Sequence, residues 1–253
     1  MASALDRVEL LPLSIAVAFV ANASGFSGGV LFQPLMYFTQ GLPLASSIAT
    51  GIASETLGMS SGALRYHLQR QVPWREVWPG LPWVALGVAA GTPVLLYASA
   101  PVLKGVLSAA LVAVAALKLW ELRHATVPRP ASAGHAARAL VGLLGGIGSA
   151  STGTGVCELH QPWFERLRGR AVREANAAAV ATEAFGNLLI SAMNLVAGNI
   201  DPTVLVWTGP GCILGAQLGA RYAHLLPERA LKAAFAVSVL GIGGFYLWQL
   251  AQA

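Results

Sequence analysis

Apolar residues fill six stretches of this chain almost without interruption: Leu42 to Leu64, Val77 to Tyr97, Val102 to Trp120, Val172 to Ala197, Thr203 to Ala223 and Ala230 to Leu250. Each approaches the ~20 residues that carry an α-helix across a bilayer, so all six read as complete spans. Two further apolar regions, Val8 to Phe38 and Ala139 to Phe164, are broken in the middle by glycines and small polar residues. The breaks are SGFSGG, Ser24 to Gly29, and GSASTGTG, Gly148 to Gly155. Each region either crosses once with an interruption or dips in and returns.

A second pattern lies over the first. Slid against itself by 128 residues, the chain pairs Gly25 with Gly153, Gln33-Pro34 with Gln161-Pro162, Glu55 with Glu183, Gly87 with Gly215, Gly91 with Gly219, and Leu119-Trp120 with Leu247-Trp248. A solenoid repeats every 20 to 50 residues or so. This longer period is a duplicated fold unit, a common plan in transporters. The expected division is residues 1–124 as a first repeat, 125–137 as a loop and 138–253 as a second repeat.

Charge decides the orientation. If Val8 to Phe38 and Ala139 to Phe164 each cross once, the sixteen basic residues divide evenly and the positive-inside rule is silent. If both are re-entrant, fourteen fall on one side and only Arg7 and Lys104 on the other. The second arrangement leaves three spans per unit, an odd number, so the second unit is upside down. The expected fold is an all-α membrane protein with two inverted repeats, each a re-entrant helical hairpin plus three transmembrane helices. Both termini then lie on the periplasmic side of a bacterial inner membrane.

Composition agrees: 55% of residues are hydrophobic and 11% charged, against roughly 25% charged in a soluble domain. The net charge of +5 sits in short loops rather than in a stripe, which argues for membrane orientation and against nucleic acid. Ala21-Asn22-Ala23 has the form of a signal-peptide cleavage site, but Asp6 and Glu9 outweigh Arg7 where such a peptide needs positive charge. Cys157 and Cys212 read as buried thiols.

In this topology the two breaks are hairpin tips that meet near the midplane. Backbone without internal hydrogen bonds cannot face lipid, so the tips must be enclosed or line a wet cavity. The half-helices that follow start at about Gly29 and Gly155, and their N-terminal amides carry partial positive charge toward the meeting point. The expected substrate-binding residues are Gly25, Phe26, Ser27, Gly28 and Gly29 with Gln33, and Thr152, Gly153, Thr154 and Gly155 with His160 and Gln161. The ligand is a small anion. Gly25-Phe26-Ser27-Gly28-Gly29 also fits the G-x-S-x-G elbow of a serine hydrolase, but no strand precedes it and no matching Ser–His pair appears, so no enzyme is expected.

The same residues, taken in order, resemble the sulfite exporter TauE/SafE family, also called toluene sulfonate uptake permeases. GFSGGVLFQP, the small-residue span LPLASSIATGIASETLGMSSGALRYHLQRQVPW and LGVAAGTPVLLYASAPVLK carry the likeness in the first half. GTGVCELHQP, ANAAAVATEAFGN, GNIDP and LGAQLGARYAHLLPERALK carry it in the second. The resemblance implies transport of a sulfur oxyanion, a sulfonate or a small carboxylate. Glu55 and Glu183 depart from it, since Ser or Thr is expected after the alanine-rich stretch.

Both glutamates fall near mid-depth of a span, where a carboxylate costs roughly 2.5–3.5 kcal/mol on insertion scales. Two readings stand: a proton relay formed by Glu55 and Glu183 with Glu158, or carboxylates that satisfy the N–H groups of the opposite tip. If ionised, Glu55 and Glu183 could instead ligate a transported cation. Cys157, Glu158 and His160 do not point three ligands at one ion, so neither metal nor cofactor is expected. The expected partners are the anion, the bilayer and protons, and a homodimer is compatible with the sequence.

Overall fold

The computed structural model describes residues 7–123 and 134–252. Its elements are helical throughout: α1 (Leu10–Ser24), α2 (Gly29–Thr39), α3 (Leu44–Leu68), α4 (Trp74–Val77), α5 (Leu81–Tyr97), α6 (Ala100–Arg123), α7 (His135–Thr152), α8 (Val156–Pro162), α9 (Val172–Val196), α10 (Pro202–Tyr222) and α11 (Glu228–Ala251). A short 3-10 turn, Trp78–Gly80, joins α4 to α5, and a π-helical turn, Trp163–Leu167, extends α8. A second 3-10 turn, Ala223–Leu225, follows α10. The connector expected at 125–137 lies mostly outside the described residues, and α7 begins at His135, ahead of the boundary expected at 138.

Helices occupy all six expected spans. Among the described residues, four are long and apolar enough to cross a membrane on their own composition: Trp74–Tyr97, Ala100–Arg123, Val172–Val196 and Arg229–Ala251. The other two, α3 and α10, have 25 and 21 residues, or about 37 and 31 Å at 1.5 Å per residue. They have the length but carry more polar side chains. Those side chains face protein: Ser47, Thr50, Ser54, Glu55 and Thr56 of α3 and Thr208 of α10 are buried, and the Ser54 and Thr208 hydroxyls lie 2.6 Å apart. A helix enclosed by other helices need not be uniformly apolar.

The two broken regions are helix–turn–helix hairpins. α1 ends at Gly25 and α7 at Gly153, both left-handed at φ 71° and 77°, and the amide of each bonds back four residues to Ala21 O and Ser149 O. Only glycine enters this conformation without strain. The second break is shorter than expected, because α7 continues through Gly148 to Thr152 and leaves only Gly153 to Gly155 between the helices.

Contacts along α3 fix the direction of the first hairpin. Ala18 and Asn22 of α1 approach Gly58 and Gly62, so α1 runs parallel to α3. Gly29 and Phe32 of α2 approach Glu55 and Gly51, so α2 runs back the other way. The turn lies past the middle of α3: Asn22 packs on Gly62, and the Tyr66 hydroxyl, near the far end of α3, donates to Asn22 O at 2.7 Å. α2 then starts again at the level of Glu55.

The 128-residue shift also organises the packing. Gly215 and Gly219 of α10 press on Ile15 O and Phe19 O of α1, while Gly87 and Gly91 of α5 press on Leu143 O and Ile147 O of α7. Each pair is the other displaced by 128 with the halves exchanged. Glycine permits this approach, since a Cβ at Gly91 would sit 2.6 Å from Ile147 O. Equivalent long helices meet antiparallel. In α6 and α11, Lys104 bonds Gln249 at 3.0 Å, while Lys232 lies 3.9 Å from Glu121 near their other ends. In α3 and α9, Thr56 bonds Asn187 O and Ser191, while Tyr66 and Asn176 reach the neighbouring carbonyls of Asn22 and Ala23.

Candidate functional site

The hairpin breaks come together between α3 and α9. The first, Phe26 to Gly28, is buried. Ser27 Oγ lies 2.7 Å from Gly153 O, the αL residue of the second break, so the two tips touch directly. The same hydroxyl lies 3.0 and 3.1 Å from the two carboxylate oxygens of Glu55, and the Gly28 amide donates to Glu55 Oε1. A side chain on Gly29 would collide with Glu55 and with Gly153 O, each at 2.7 Å. That contact forces a glycine there.

The second break repeats the plan. Glu183 of α9 accepts from the Cys157 amide at 2.7 Å and from Ser149 Oγ at 3.0 Å. Ser149 Oγ in turn accepts from the Val156 amide at 3.0 Å. Glu55 and Glu183 therefore cap the half-helix of their own half, not the opposite tip as one sequence reading had it. The residue that crosses is Glu158. Its Oε2 accepts from the Gly155 amide at 2.8 Å, and its Oε1 accepts from the Ser27 amide of the other hairpin at 2.9 Å. One carboxylate thus spans the amides of both tips.

Other expected site residues are placed differently. Gln33 and Gln161 do not reach the tips: the Gln33 amide donates to the Tyr246 hydroxyl, and Gln161 donates to Glu165 at 2.7 Å. They therefore neither line the tips nor satisfy backbone freed by the following prolines. His160 points Nδ1 at Val156 O, 2.9 Å away, instead of engaging Glu158. The Thr152 hydroxyl back-bonds to Gly148 O at 2.8 Å. Thr154 is buried beside Gly155, with a hydroxyl that has no hydrogen-bond partner. Gly25 packs against Asn176, and Phe26 stacks on Phe235 at 4.4 Å.

Lys118 is the group sequence reading missed, counting it only with the basic side of the molecule. It is fully buried on α6, with Nζ 3.3 Å from Glu121, 3.4 Å from Gln161 Oε1 and 4.9 Å from the centre of the Phe26 ring. Lys232 extends the cluster, 3.9 Å from Glu121 and 3.7 Å from Glu165. The 128-residue shift held the signal: Lys118 aligns with Tyr246 and Gln161 with Gln33, so each half offers a polar partner inside a span to the glutamine of the other.

Chemically, the centre is a set of backbone and hydroxyl donors occupied by three carboxylates. The Ser27 hydroxyl is held by a carboxylate and a carbonyl, and no histidine bonds it among the described residues, so the elements of a catalytic triad are not assembled there.

A probable membrane transporter protein from Haemophilus influenzae is 28% identical over 221 residues, which cover 85% of each chain. No solved structure matches the chain. The model of the family described as sulfite exporter TauE/SafE matches residues 10–246. On the fold, the paired hairpins and that match over nearly its whole length, the chain is a multi-pass membrane protein belonging to the sulfite exporter TauE/SafE family of membrane transporters.

Proposed function

We propose that this transporter moves a small oxyanion, namely a sulfur oxyanion, a sulfonate or a small carboxylate, through the cradle between the two tips, and that Glu55, Glu158 and Glu183 couple the movement to protons. One observation carries the reading: the Glu158 carboxylate already spans the Ser27 and Gly155 amides at 2.9 and 2.8 Å. A carboxylate and a sulfonate present similar pairs of oxygens, so donors that accept one geometry accept the other. A substrate entering the cradle must displace Glu158. Buried charges are tolerated only when paired, and Glu55, hydrogen-bonded to Ser27, stands beside the vacated donors. A proton taken up on the glutamates offsets the arriving charge.

The two halves act as inverted units in this reading, supported by the antiparallel meeting of α3 with α9 and of α6 with α11. The basic face is cytoplasmic and both termini are periplasmic, in a bacterial inner membrane. Glu55 and Glu183 hold protein donors, which favours an anion over a cation bound directly to them. Counterflow in proteoliposomes with sulfite, thiosulfate, sulfoacetate and small carboxylates, with and without a pH gradient, tests the proposal. Saturable exchange of at least one of these anions, accelerated by the gradient, is expected. The proposal fails if none exchanges, or if the protein carries a cation whose flux disappears in Glu55→Gln/Glu183→Gln.

A further inference from the structure

A cavity of about 210 Å³ opens between the C-terminal end of α1, the start of α9 and the turn after α10, lined among others by Ser24, Arg173, Asn176, Ala223 and His224. It adjoins the first tip, because Asn176 packs against Gly25 and its Nδ2 donates to Ala23 O at 3.4 Å. Water needs only about 10–15 Å³ of such space, so a small hydrated anion fits.

The lining has unused polar capacity. Asn176 lines the cavity at 5% exposure; its Oδ1, packed over Gly25, has no partner, and its Nδ2 carries a second N–H beyond the one donated to Ala23 O. Arg173 Nε is likewise buried without a partner, and the guanidinium forms none of the ion pairs found among the described residues. A guanidinium left unpaired beside a cavity, with an amide and an imidazole near it, matches the needs of an oxyanion.

The opposite face lacks all of this. Displaced by 128 residues, Val172, Arg173, Asn176, Ala223, His224 and Leu231 become Leu44, Ala45, Ile48, Leu95, Leu96 and Leu103. Leu44, Ile48, Leu95 and Leu103 are buried in one apolar cluster. One mouth carries charge and hydrogen-bonding groups; the aligned positions on the other face carry apolar side chains only, and the cavity of about 570 Å³ beside Leu96 is lined by Tyr97, Met193 and other apolar residues.

We propose that the Arg173 cavity is the subsite that captures the anion on its way to the cradle, and that the structure is the state open to that side. This deepens the transport reading above and rests on it. Arg173 supplies the charge, Asn176 and His224 supply hydrogen bonds, and Ser24 and Ala23 lead to the tip.

Two measurements separate this inference from the function it rests on. The first uses Ala223→Cys, labelled with anionic sulfonatoethyl and cationic trimethylammonioethyl methanethiosulfonate, each rate normalised to a free thiol and to protein lacking the new cysteine. The anionic reagent should be favoured, and Arg173→Gln should shift the ratio roughly tenfold or more toward the cation, with Arg173→Lys intermediate. The second is counterflow of sulfite, thiosulfate and sulfoacetate. Arg173→Gln should raise the half-saturating concentration about tenfold from the Arg173 side and leave the opposite side near wild type. An unchanged labelling ratio overturns the subsite whatever the transport result. Wild-type exchange with unchanged half-saturation in Arg173→Gln also overturns it. A shifted ratio in a protein that exchanges none of these anions supports an anion-attracting cavity and removes the transport reading alone.

Discussion

Glu158 has no counterpart in the first half, where Val30 occupies the aligned position. The cradle is therefore symmetric in the left-handed glycines Gly25 and Gly153 and in Glu55 and Glu183, but not in the group that bridges it. In Glu158→Gln an NH2 group replaces one carboxylate oxygen, so either the Ser27 or the Gly155 amide faces another donor. A buried donor left unsatisfied costs about 1–3 kcal/mol, and the purified variant should melt at a lower temperature. The variant also cannot exchange a proton at that position. Counterflow should survive while uptake driven by a pH gradient is lost; uptake driven as in wild type would place the coupling elsewhere. The glutamates were legible in the sequence because a carboxylate in an apolar span calls for explanation. What they bind was not, because the 128-residue alignment gives register within the chain but not which amides lie within 3 Å across two hairpins. Lys118 stayed hidden for a related reason: near the end of a span, a lysine facing protein and one snorkelling to water give the same sequence.

At the scale of elements, the hairpins are held by helices of the opposite half, α1 by α10 and α7 by α5. Gly215 and Gly87 are the contact points, where backbone meets backbone with no room for a Cβ. Overpacking a tight contact costs roughly 1–3 kcal/mol. Gly215→Val and Gly87→Val should each lower the melting temperature of the detergent-solubilised protein, whereas Gly105→Val on α6, with nothing within 4 Å, should not. Helix propensity alone favours Val over Gly at all three, so equal losses would mean that the close contacts at Gly215 and Gly87 do not set the cost. The glycine spacing marked these positions for close packing in advance; the helix ends were less exact, since α3 at Leu44–Leu68 and α9 at Val172–Val196 coincide under the 128-residue shift while the apolar run read for α3 stopped at Leu64. The extent of the second break was misjudged because Ser and Thr do not end a helix when their hydroxyls bond back into it. Ser151 does so to Ile147 O at 2.7 Å and Thr152 to Gly148 O at 2.8 Å.

At the scale of the whole molecule, the arrangement requires the loops after α3 and after α8 to share one face. The contacts tie them together: Arg168 pairs with Glu76 at 3.0 Å, and Arg170 reaches the same carboxylate. The other end is tied by Arg7 and Asp201 at 3.3 Å. In the proposed topology the sequence assigns fourteen basic residues to the side of the first face and two to the other, and the positive-inside rule then predicts a cytoplasmic first face. Cysteines placed one at a time at Arg75, Ala171 and Ala197, all exposed, test this with a membrane-impermeant maleimide on intact spheroplasts. Ala197→Cys should label from outside, and Arg75→Cys and Ala171→Cys only after lysis. Labelling of all three opposite to this would invert the orientation but keep the cradle, since the hairpins would still meet. Labelling of Arg75→Cys and Ala171→Cys from different sides would mean that one broken region crosses the bilayer completely, and the two tips could then not share the Glu158 carboxylate.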